Sequence, residues 1–147
     1  MNSIEQSKTD FLLQRTVEDL NESSRQWMED IDFWKIELDF FQKLLDDQVA
    51  KMHSKEQKKQ LDHFQNLIIY YSGELLDQFE QSARRHAKLM ATLVESNNGV
   101  EDTNYRSKHI DLADKIDSFA YQFRQYKKDL YQFLEGTLYY ADRFVKK

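Results

Sequence analysis

Apolar residues recur along this chain in alternating steps of four and three, and that spacing leaves few folds open. In the first third the positions are Leu13, Val17, Leu20, Ser24, Trp27, Ile31, Trp34, Leu38, Phe41, Leu45, Gln48 and Met52, with only Ser24 and Gln48 polar. The last third repeats it through Tyr105, His109, Leu112, Ile116, Phe119, Phe123, Tyr126, Leu130, Phe133, Thr137, Tyr140 and Phe144. A repeat of about 3.5 residues keeps one seam of a helix turned towards its partners, so both segments read as long packed helices. The middle third is also helical but less regular: Leu61, Phe64, Ile68, Tyr71, Leu75, Phe79, Ala83, His86, Met90 and Leu93. Its four-residue steps around 75 to 83 read as a stutter, which locally straightens a supercoil.

The punctuation agrees. The chain of 147 residues has no proline and only three glycines, too few turn formers for a sheet protein. Ser54-Lys55-Glu56-Gln57 spells a capping box that starts a helix. Asn97-Asn98-Gly99 tolerates the left-handed backbone that ends one, and Asp102 or Thr103 caps the next. The expected fold is all-α: a single domain, 1–147, built as an antiparallel up-down bundle of three long helices at about 4–52, 55–96 and 103–146. Ser23 to Gln26 forms a second potential capping box. A break near 21–24 would turn residues 1–20 into a short fourth helix. Folding about the two connections places Trp34 in one layer with Gly73 and Phe123, with the glycine making room for the indole.

Charge narrows the partners. Residues 1–52 hold 12 acidic and 6 basic side chains, whereas the rest of the chain is nearly balanced. A nucleic-acid binder needs a basic stripe to neutralise phosphates, and none runs through this sequence. The longest apolar run, Leu67 to Tyr71, is far too short to span a bilayer. There is no cysteine, hence no disulfide framework or thiolate site. The N-terminus lacks the basic and apolar regions of a signal peptide. These features together predict a cytoplasmic protein that binds neither nucleic acid nor membrane.

Two further patterns lie off or within the seam. Phe33, Ile36, Phe40 and Leu44 make a second apolar stripe on the first helix, and Tyr131, Leu134, Leu138 and Val145 do so on the last. Exposed patches above a few hundred Å² mark interaction sites. Either a wide core of tilted helices buries both stripes, or something covers them: a folded-back N-terminal segment, a second copy or a different protein. Within the seam, His86 and His109 should face each other, with Tyr105 and Ser82 nearby. Facing histidines suggest a metal site or a pH-sensitive layer, but the expected arrangement is a hydrogen-bonded structural pair with Ser82 or Tyr105 as partners. The sequence aims no carboxylate at the pair, and it has neither the Glu-x-x-His of di-iron bundles nor a His-x-x-x-His. Phosphate loops and nucleophile elbows are likewise missing.

The expected function is a non-enzymatic interaction or scaffold module that self-associates through the apolar stripes as a homo-oligomer, its partner a second copy or another protein, with no metal or cofactor. The rival reading is a bundle that binds a small ligand or metal at the layer of His86, His109, Tyr105 and Ser82.

Overall fold

A computed structural model describes residues 17–95 and 103–145, and the side chains of 19–92 and 104–137. The chain is all-α, a helical bundle. Helix α1 spans Val17–Gln48 and ends in a 3-10 turn, Val49–Lys51. Helix α2 spans Lys55–Tyr70, and a π-helical segment, Tyr71–Leu75, joins it to α3, Leu76–Glu95. Helix α4 spans Thr103–Val145. No strand occurs among the described residues, and no helix there is long and apolar enough to cross a membrane. The expected start near residue 4 and the break at Asn97-Asn98-Gly99 lie outside the described residues.

The capping box forms as its spelling requires. Ser54 Oγ accepts from the Gln57 amide at 3.0 Å, while Gln57 Oε1 accepts from the Ser54 and His53 amides at 3.3 and 2.9 Å. Reciprocal capping of this kind satisfies amides that a helix N-terminus leaves without carbonyl partners. The second potential box does not act as one. α1 runs unbroken through 21–24, and Ser24 is buried with its hydroxyl donating to the Leu20 carbonyl at 3.2 Å. Ser23, the residue that would cap, therefore lies inside a continuous helix and not at the start of one.

Two compact units divide the chain, and each has its own core. The first contains Met1–Phe33 and Asp77–Ser118. Leu20, Met90 and Tyr105 cluster there, and Leu89 packs against them. Trp27, Ile31, Phe79, Ala83, Leu112 and Ile116 are buried in the same unit. The second contains Trp34–Leu76 and Phe119–Lys147. Gln65 donates to Asp46 at 3.2 Å across the short connection, so α2 returns along α1. Phe64 meets Phe133 and Tyr126, while Tyr71 meets Phe119, which sets α4 antiparallel to α2. Trp34 on Phe119 and Phe41 on Tyr126 then set α4 parallel to α1.

The irregular middle third resolves into one added residue. The buried positions run Leu61, Phe64, Ile68, Tyr71, then Leu76, Phe79 and Ala83. A five-residue step followed by a three replaces the expected pair of fours. The Leu76 amide donates to the Tyr71 carbonyl, and the Ser72 hydroxyl reaches the Ile68 carbonyl at 2.7 Å. A wider turn thus inserts a residue and restores the seam's phase. It also reverses two expectations. Leu76, not Leu75, is the core leucine, and Gly73 is exposed, with no atom within 4 Å of where a Cβ would sit. Trp34 packs edge-on against Phe119 at 4.9 Å, so the glycine makes no room for it. Leu76→Ala is expected to cost about 3 kcal/mol in urea unfolding, as for a fully buried leucine, and Leu75→Ala no more than about 1 kcal/mol. Equal costs would mean that the π segment does not set the register.

Candidate functional site

The buried polar layer belongs to the first unit. His86 on α3 and His109 on α4 both occupy seam positions and are buried. Their Nε2 and Nδ1 atoms lie 2.9 Å apart, the length of one N–H···N hydrogen bond. One imidazole donates and the other accepts. The acceptor's lone pair is thereby aimed at its neighbour, and neither of these two nitrogens is turned towards a third ligand. Among the described residues no group of three or more His, Asp or Glu could hold a metal ion.

Aromatic rings enclose the pair. Tyr105 stacks flat on His86, with centroids 4.3 Å apart and planes 5° from parallel. Trp27 of α1 covers His109 at 4.5 Å and reaches His86 at 6.2 Å. Burial, and secondarily the charge of Lys108, pull the His86 imidazole down to about 4, so it is neutral at physiological pH. Burial likewise pushes the Tyr105 phenol up to about 12, with Arg106 acting against it. Ser82 lies half-buried along a groove that His86 also lines. The residue missed from sequence is Trp27. Its seam position is plain in the heptad, but the heptad does not say which layer it covers.

The apolar stripes separate by burial. Phe33, in the first unit, is 59% exposed. In the second unit Ile36 and Phe40 are 65% and 59% exposed, and Tyr131 is exposed as well. Phe40 and Tyr131 each lie 6.0 Å from the buried ring of Phe41, one on α1 and one on α4, and so flank the same core residue. Leu44 is half-buried. Leu134 is a correction: it is a core residue, and the side chain of Leu138 lies outside the described residues. Leu134 turns inward because an undistorted helix of 3.6 residues per turn sets Phe133 and Leu134 on either side of the seam. Phe133 takes the α2 side, against Phe64 at 5.2 Å.

No family model, curated protein or solved structure matches this chain. The site's chemistry therefore has to be argued from its own atoms.

Beside the exposed rings, Lys127 donates to Glu37 at 3.1 Å and sets its ammonium 4.7 Å above the Phe123 ring. Lys43 pairs with Asp39 at 3.0 Å. Lys127 and Lys43 are thus engaged by carboxylates, whereas Asp46 and Asp47 have no basic partner among the described residues.

Proposed function

We propose that this protein is a helix-docking module that performs no chemistry of its own: an amphipathic helix of a partner protein lies on the outward side of α1 in the second unit. The observation that carries this reading is the exposure of Ile36 and Phe40, with Tyr131 beside them on the same buried Phe41. Large apolar side chains flanking a rigid, filled core offer anchor points at little ordering cost, the usual basis of helix-in-groove recognition.

Charge selects the partner. In the second unit α1 carries four acidic residues, Glu37, Asp39, Asp46 and Asp47, against two basic ones, Lys35 and Lys43. A second copy docking α1 against α1 would bring two acidic helices together, whereas a partner helix with lysine or arginine beside its apolar face would meet opposite charge. The occupant is therefore a basic amphipathic helix.

The test uses a fluorescein-labelled helical peptide with leucines on one face and lysines on the other, and a second peptide with glutamates in place of the lysines. The lysine peptide is expected to give a saturable anisotropy change that weakens with salt and drops about tenfold or more in Phe40→Asp. Equal binding of the glutamate peptide, or indifference to Phe40→Asp, would defeat the proposal. So would sedimentation showing a wild-type dimer that Phe40→Asp dissociates, because the occupant would then be a second copy.

A further inference from the structure

We propose that the groove beside the histidine pair, in the first unit, binds a small phosphate-bearing anion. The groove has a volume of about 350 Å³ and runs between α3 and α4. Ser82 and Arg85 line it from α3, and Lys108, Asp111 and Lys115 line it from α4, with the buried imidazole of His86 at its wall. That volume lies within the range of small-ligand sites and holds a compact phosphorylated molecule.

Three cations and one carboxylate face this space, in a chain whose acids outnumber its bases 26 to 21. The local sign is opposite to that of the whole. Neither lysine forms an ion pair among the described residues, and the Arg85 guanidinium makes only a 3.4 Å contact with the neutral Gln81 amide. The groove thus offers ammonium, guanidinium and hydroxyl donors whose charge is not already cancelled. A phosphoryl group brings several acceptor oxygens and up to two negative charges, which suits such a donor set better than a monocarboxylate does. Lys108 acts electrostatically on His86, which ties the charged rim to the buried wall.

Asp111 restricts the ligand further. It sits between Lys108 and Lys115, which are seven residues and so about 10 Å apart along α4. A polyanion laid along the helix would pass over that carboxylate, whereas a compact anion can sit against Arg85 and one lysine.

The experiment titrates the full chain at pH 7.5 with sodium phosphate and, separately, sodium pyrophosphate, against sodium chloride at matched ionic strength. Imidazole resonances are followed by NMR. The expected result is saturable 1:1 binding that shifts the His86 ring resonances and leaves those of the exposed His53 and His63 in place. In Lys108→Gln/Lys115→Gln, two exposed positions whose replacement leaves the melting temperature unchanged, affinity should fall by about tenfold or more, the loss of a charge-assisted hydrogen bond. Shifts reproduced by chloride alone, or binding undiminished in the double variant, would overturn the proposal. Tighter binding of duplex DNA than of pyrophosphate would overturn it too, because the groove would then be reading a polyanion.

Discussion

Phe123→Ala is expected to remove about 4 kcal/mol of stability, the largest effect of any single truncation considered for the second unit. The side chain is fully buried. Phe119 and Tyr126, one turn away on either side along α4, stack on it at 5.4 and 6.0 Å, and Tyr71 and Phe41 meet it edge-on at 6.2 Å. The Lys127 ammonium lies over its face at 4.7 Å. Truncation thus loses the burial of an aromatic ring, opens a cavity among four other rings and strands a half-buried lysine without its π partner. Rings held by neighbours on three helices cannot collapse far into the space, so the cost belongs at the upper part of the usual range. Domains of this size have about 5 to 15 kcal/mol in all, so the variant should unfold at a markedly lower urea concentration with an unchanged slope. Tyr121→Ala, at an exposed position of the same helix, should stay within about 0.5 kcal/mol of the wild type. A loss below about 2 kcal/mol for Phe123→Ala would show that the aromatic cluster is loosely packed and free to refill.

The contrast between these two residues was readable in the sequence, since Phe123 lies on the four-three repeat and Tyr121 does not. The same is true of Ser54 and Gln57, whose reciprocal cap needs only the right residue types three apart, and of the approach of His86 to His109, which follows from folding one seam onto another. Other features depend on information that spacing does not contain. Steps of 71, 75 and 79 and steps of 71, 76 and 79 cover the same stretch, and only packing against neighbouring rings makes a five-residue turn worth its weaker hydrogen bonding. Gly73 was misread for that reason, because an added residue at the π segment rotates it outward. Leu134 was misread because a strict seven-residue repeat and a straight helix part company near the end of a long element. Ser23 illustrates the opposite case. A local capping signal lost to the global seam, as expected when burying an uninterrupted apolar face outweighs one cap of about 1 kcal/mol. The groove was invisible for a different reason. Arg85, Lys108 and Lys115 are unremarkable in sequence and gain meaning only when α3 and α4 bring them to one space.

Acidification supplies the second large effect. The unfolded chain holds His86 at its ordinary value of 6.5, whereas burial in the folded first unit lowers it to about 4. Between those values the unfolded state takes up a proton that the folded state refuses, so stability is complete above about pH 6.5 and is lost as the pH falls towards 4. At about 1.4 kcal/mol per unit, the loss reaches about 2 kcal/mol at pH 5 and about 3 kcal/mol at pH 4. The groups around the imidazole explain why the folded state resists. From α4 it meets His109, Tyr105 and the cation of Lys108, and from α1 the indole of Trp27. Asp111 is the one carboxylate among the residues that line the same groove. An added proton would leave an N–H···N bond in place, so the penalty is desolvation with a smaller repulsion from Lys108, which keeps it to a few kcal/mol rather than the loss of the whole layer. Urea midpoints at pH 7.5, 6.5, 5.5 and 5.0 measure it in the wild type and in His86→Leu/His109→Leu. Surface carboxylates titrate alike in both proteins, so the difference between the two curves isolates the pair. The wild-type curve should fall by about 2 kcal/mol more than the variant's between pH 7.5 and 5.0. Parallel curves would show that His86 is solvated enough to accept its proton at the ordinary pH, and the enclosed layer described for the first unit would have to be open to water.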